Sequence, residues 1–123
     1  MAQRVSIRWL DEPQTHDYEA AASFLGLLYG RKAVGAIVKK LRKSPMTAFK
    51  AKDIFRASGL SLLGVSNSHV IKDKKKILSK QPLSPILLVR NEGCARAIIA
   101  DGYHRMCAVY YFNEDAVIPC QIV

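Results

Sequence analysis

Two apolar runs, Ile86-Leu87-Leu88-Val89-Arg90 and Ala97-Ile98-Ile99-Ala100, flank the polar stretch Asn91-Glu92-Gly93-Cys94. A short, continuous run of branched apolar side chains is the mark of a buried strand. Asn, Glu and Gly between two such runs are turn chemistry. The pair reads as a hairpin inside a sheet, with apolar faces that need other elements packed on them.

The remaining chain supplies them. Arg4 to Trp9 alternates polar with apolar and predicts a short strand. Asp17 is placed to cap a helix running to about Tyr29, with Ala21, Phe24, Leu25 and Leu28 on its apolar face and Gly30 at its C-cap. A second helix, Lys32 to Lys43, has Val34, Ile37, Val38 and Leu41 at helical spacing and stops at Ser44-Pro45. The two predict an antiparallel helical hairpin.

Residues 46–51 read as a short strand, and 52–59 as a short helix ended by Gly59. Residues 60–70 have the composition of a loop. A basic helix from Ser68 to about Ser79 has Val70, Ile77 and Leu78 inward. Pro82 and Pro85 bracket a turn before the apolar hairpin. A helix from Tyr103 to Phe112 then presents Met106, Val109 and Tyr110 to the core, and residues 117–123 close as a strand. Helices come first, and strands and helices then mingle without strict alternation, so the class is α+β. One domain is expected, with 1–45 as a helical N-terminal addition to a core of 46–123.

Apolar residues make up 50% of the chain, enough for a core and too many for wholesale disorder. Cys94, Cys107 and Cys120 are an odd set without paired spacing, which argues against a disulfide framework or a zinc knuckle and for a reducing compartment. No basic-then-apolar leader follows Met1, and no apolar run approaches the roughly 20 residues of a membrane span. A cytoplasmic protein with no membrane partner is the expectation.

Charge is unevenly spread. Residues 1–30 hold two Arg against four acids, and residues 83–123 three Arg against four acids. Residues 31–82 hold fourteen Lys or Arg against two Asp, so the net +9 belongs to the middle segment. A localised positive field attracts polyanions such as nucleic acid or nucleotide phosphates. It also describes a solvated lysine-rich face.

Asp101-Gly102-Tyr103-His104-Arg105 joins the last residue of an apolar strand to the start of a helix. A helix N-terminus presents unpaired N–H groups and partial positive charge, so it suits an anion. Gly102 allows a tight turn and close approach of a ligand. Arg105 in the first turn opposes the helix dipole, which makes sense if an anion sits there. Asp101 is placed as the N-cap, and also as a group that holds a ribose hydroxyl, a metal or a proton. The alternative is structural: Asp101 only caps, His104 lies on the surface, and Arg105 pairs with Glu114 or Asp115.

Residues 82–123 resemble the ParB/sulfiredoxin superfamily. The carrying residues are Pro85-Ile86, Val89, Asp101-Gly102, His104-Arg105, Ala108 and Ile118-Pro119 through Val123. The basic helix 68–79 and the segment 46–55 fit the same pattern more loosely, and the hairpin 17–43 fits nothing in it. The resemblance implies a nucleotide or other phosphorylated small molecule at Gly102, Tyr103, His104 and Arg105. ATP, ADP or CTP with Mg2+ is the implied cofactor, and a nucleotide-dependent phosphotransferase or hydrolase the implied activity. Sulfiredoxin chemistry is not implied, because Tyr103 stands where the nucleophilic cysteine belongs.

The resemblance also makes Asp101 the nearest carboxylate to act as base, with Asp53 assigned to capping its own short helix. It brings Asn67 and His69 to the ligand, His69 with His104 and Asp101 as the candidate catalytic set. Cys107 is assigned to the core, and no metal site within the protein is expected.

DNA binding is the rival reading. Residues 63–76 resemble the turn and recognition helix of a helix-turn-helix, with Lys72, Lys74, Lys75 and Lys76 outward. Gly59 interrupts the first helix such a motif needs, whereas nonspecific phosphate attraction needs no motif. A third reading makes the hairpin 17–43 a docking platform.

Overall fold

A computed structural model describes residues 6–63 and 67–123. Its strands are β1 (Thr47–Lys50), β2 (Ile86–Asn91), β3 (Arg96–Asp101) and β4 (Val117–Ile122). Its helices are α1 (Thr15–Leu25), α2 (Arg31–Lys43), α3 (Ala51–Ser58), α4 (Ser68–Leu78) and α5 (Tyr103–Phe112). The strands form one mixed sheet in the order β1-β4-β2-β3. β1–β4 and β2–β3 pair antiparallel, and β2–β4 pair parallel with Ile86 opposite Cys120. The class is α+β, as expected.

Side-chain alternation along the strands divides the core in two. Leu87, Val89 and Ala100 pack with Tyr18, Ala21 and Leu25 of α1 and Val34 and Leu41 of α2. Ile86, Leu88, Ile99, Ile118 and Cys120 turn the other way, onto Ile54 of α3, Val70 and Ile77 of α4, and Met106 and Val109 of α5. β2 is covered on both faces, so its sequence is apolar without alternation. The helical hairpin is therefore one of the two layers that bury the sheet.

Several boundaries differ from the sequence reading, each for a local reason. Gln14, not Asp17, is the N-cap of α1; Asp17 sits at the third helical position and accepts the Gln14 backbone N–H at 2.7 Å. α1 ends at Leu25 instead of Tyr29, and Gly30 opens α2 instead of closing α1. The apolar Leu27 and Leu28 that suggested a longer helix are exposed. In the expected first strand, Arg4 and Val5 lie outside the described residues, and Trp9 makes only an isolated bridge to Leu83. Leu78 is 61% exposed, one position past the inward Ile77. Asp53 caps nothing: Lys50 is the N-cap of α3, and Asp53 lies 3.9 Å from Arg56.

Gly59 and Gly102 fit their expected conformations. Gly59 ends α3 at φ +67° and Gly102 starts α5 at φ +110°, regions that side-chain-bearing residues rarely enter. No described helix is long and apolar enough to cross a membrane.

Candidate functional site

α4 and α5 lie side by side, and the polar stripe of α4 decides what the junction contains. His69, Lys72, Asp73 and Lys76 are spaced i, i+3, i+4 and i+7, which places them on one helix face. That face meets Asp101, Gly102, His104 and Arg105 across a cavity of about 200 Å3. Apart from the glycine, every lining residue carries a titratable or charged side chain.

Asn67 sets the start of α4. Its Oδ1 accepts the backbone N–H groups of His69 at 3.0 Å and Val70 at 3.2 Å. Asn67 is thus the cap of α4, and it lies outside the cavity lining. The cap holds His69 in the first turn, where its ring lies 4.7 Å from that of His104 at an angle of 42°.

At the start of α5, Gly102 is the N-cap and no side chain caps the helix. Asp101 does not cap. Its Oδ2 instead accepts a 2.7 Å bond from Arg105 Nη2, which also donates to the Pro85 carbonyl at 3.2 Å. Arg105 Nε is buried with no partner among the described residues. Arg105 does not reach Glu114 or Asp115; Asp115 pairs with Lys52 at 2.7 Å. A Cβ on Gly102 would stand 2.7 Å from Ile86 Cγ1 and 3.0 Å from Arg105 Nη2. The space over the glycine is thus filled by the protein's own side chains. It serves the turn and the seating of Arg105, and the residue lines the cavity.

Tyr103 also leaves the site. Its hydroxyl donates to the Ser61 carbonyl, which fastens segment 60–63 over α5, and the residue does not line the cavity. Cys107 is buried as expected, and burial pushes its thiol pKa up. The lysines assigned to DNA part company. Lys72 and Lys76 face the cavity, whereas Lys74 Nζ lies 3.8 Å from the Tyr111 ring centroid, and Lys75 is exposed.

Burial governs the electrostatics. Asp73 is raised above the ordinary carboxylate pKa by desolvation, against the pull of Arg105 and Lys76. Asp101 is raised chiefly by desolvation as well; Arg105 opposes this, and the nearby Asp17 carboxyl adds to it. His104 is lowered, first by desolvation and then by His69, so it holds a neutral imidazole at neutral pH.

Two members of the site went unread in the sequence. Asp73 was legible, since it lies four residues from His69 in a helix. Asp17 was not, because nothing in the chain links residue 17 to residue 101. Carboxylates are the donor type that a divalent cation takes beside substrate phosphates, and Asp73 and Asp101 are the two that line this cavity. Among the described residues no three His, Cys, Asp or Glu side chains form a metal cage.

No family model, curated protein or solved structure matches the chain.

Proposed function

We propose that the α4–α5 cavity binds the phosphate of a small molecule and performs acid–base chemistry on it. The carrying observation is that Lys72, Lys76, Arg105 and the imidazoles of His69 and His104 converge at an uncapped helix start. Ammonium and guanidinium groups neutralise phosphate oxygens, and the α5 N–H groups add favourable dipole. Neutral His104 accepts a proton, His69 returns one, and the raised carboxyls of Asp73 and Asp101 are stronger bases than free aspartate. A phosphotransferase or hydrolase is the reaction class that such a set serves.

The resemblance of residues 82–123 to the ParB/sulfiredoxin superfamily supports a nucleotide, ATP, ADP or CTP with Mg2+, as phosphate donor. Cavity size adds a limit. Pockets that enclose a drug-sized ligand hold about 300–1,000 Å3, and this one is smaller. It admits phosphate groups and leaves base and sugar outside.

Thermal shift with ATP, ADP, CTP, pyrophosphate and phosphate, each with and without Mg2+, is the test. Ligand at a hundred times its Kd adds about 2.7 kcal/mol, which a melting curve resolves. The shift should vanish in the Lys72→Gln/Lys76→Gln variant. Absence of a shift with every ligand at saturating concentration overturns the proposal.

DNA attraction through the basic middle segment is a separate reading, favoured by the exposure of Lys72 and Lys75 on one helix. It predicts duplex affinity that collapses with salt and that Lys75→Glu weakens. Phosphate binding in the cavity predicts no effect of Lys75.

A further inference from the structure

The outer edge of β3 can be read from the bonds of its neighbour. Arg90 N–H donates to the Val123 carbonyl at 2.7 Å, and Val123 N–H donates to the Leu88 carbonyl at 3.3 Å. Leu88 and Arg90 therefore turn their backbone groups toward the β4 side, and the intervening Val89 turns its own toward β3. Val89 lies opposite Ile98. Ile98 thus bonds to β2, and its neighbours Ala97 and Ile99 direct N–H and C=O outward. Among the described residues no loop, helix end or further strand bonds to those outward groups.

This edge is the floor of a groove of about 230 Å3. Phe24 and Leu28, from the α1 layer, stand on one side, and Leu60, from the chain leaving α3, stands on the other. These three side chains are 42%, 51% and 46% exposed. Large apolar groups gathered around one site mark an interaction surface. Arg96 is the one charged residue that lines the groove. Its guanidinium lies over Gly59, where a Cβ would stand 2.5 Å from Nη1, and it has no carboxylate partner among the described residues.

We propose that this groove takes an extended peptide segment of a partner protein, added to the sheet as a strand beside β3. Ala97 and Ile99 supply the backbone rungs, which give affinity whatever the side chains are. Successive side chains of the added strand point alternately to the α1 wall and to the Leu60 wall, so consecutive apolar residues are required. Arg96 calls for a carboxylate at its end of the groove. A second copy of the chain is disfavoured by charge, since it would bring another +9 and another Arg96. The fitting segment is an apolar strand with an acidic flank. No residue lines both this groove and the α4–α5 cavity, so the proposal is independent of the phosphate reading.

The probe is a fluorescein-labelled peptide, Val-Ile-Val-Ile-Glu-Glu, beside a copy N-methylated at its Val and Ile amides. Methylation keeps the side chains and removes the backbone donors. Fluorescence anisotropy should show the methylated copy bound at least about tenfold more weakly. Equal affinity of the two peptides, or no binding of the parent at millimolar concentration, overturns the proposal.

Ala97→Pro deletes an outward N–H that the sheet does not use, a change that an edge strand tolerates. It should weaken the probe by about tenfold, and a circular dichroism melt checks its fold. If it does not fold, Leu28→Glu decides instead, because it places a charge on the apolar wall at a half-exposed position and should abolish binding. Unchanged affinity in the folded variant overturns the proposal.

Amide hydrogen exchange reads the edge directly. In the free protein the Ala97 and Ile99 amides should exchange faster than that of Ile98, and should slow when the probe is added. Equal protection of all three in dilute free protein shows an edge already covered and overturns the proposal. Protection that grows with protein concentration assigns the edge to a second copy, with the same consequence.

Discussion

The Tyr18 hydroxyl donates a 2.5 Å hydrogen bond to Gln121 Oε1, and Gln121 Nε2 donates at 2.8 Å to the carbonyl of Ser44. One buried side-chain amide on β4 thereby ties the first helix to the residue that ends the second. Arg42 covers the Tyr18 ring at 4.3 Å, so α1, α2 and β4 are fastened by polar contacts as well as by apolar packing.

Tyr18→Phe should therefore destabilise the fold although it removes only a hydroxyl. The loss leaves Gln121 Oε1 buried without its donor, at a cost of about 1–2 kcal/mol. A lower urea midpoint with an unchanged m-value is the expected result. An unchanged midpoint shows that water replaces the tyrosine.

Gly102→Ala should cost about 2 kcal/mol or more, since it combines a left-handed backbone with a Cβ forced onto Ile86. Arg105 has to shift to relieve the contact, so anion binding should weaken along with the melting temperature. Retained anion affinity in a folded Gly102→Ala protein would separate Arg105 seating from ligand capture.

Lowering of the His104 pKa sets the sign of a pH effect. The unfolded imidazole titrates near its ordinary value of 6.5, whereas the folded one takes up its proton lower. Below that ordinary value the unfolded state binds more protons, so stability is full above it and declines as pH falls through it. Asp73 and Asp101 act in the opposite sense: with raised folded values, their contribution declines as pH rises above the ordinary 3.8. Denaturation of wild type and His104→Gln across this range isolates the histidine. The wild type should lose ground relative to the variant as the solution is acidified.

The α4 lysines should divide into two classes. Lys74→Gln should cost about 0.5–1 kcal/mol of stability through its lost contact with Tyr111 and leave anion affinity unchanged. Lys72→Gln/Lys76→Gln should do the reverse, and should flatten the dependence of anion affinity on salt. Calorimetric titration with pyrophosphate, paired with melting curves, reads both.

Elements with a strong local signature were legible in the sequence. The β2–β3 hairpin, α3 with its terminal glycine, and α5 from Tyr103 to Phe112 follow from apolar runs and turn residues. The α1 limits were misread because Asp17 has the chemistry of a cap and Leu27-Leu28 that of a core. Asp17 does serve the helix start, but from the third helical position against the Gln14 amide, and only tertiary contact shows that the leucines are exposed. The site divides in the same way. His69, His104 and Arg105 do meet at a cavity, whereas Asn67 caps α4 and Tyr103 bonds the carbonyl of Ser61, far away in the chain. The Asp17–Asp101 contact spans most of the chain and leaves no periodic trace.

Because β3 is an outer strand of the sheet, its last residue lies at the rim where both helical layers can touch it. Asp101 is held by α5 and reached by α1, so a disturbance in one layer passes to the other without crossing the packed interior. Substitutions in the opening helix, remote from the α4–α5 junction in the chain, belong in any screen for altered ligand response.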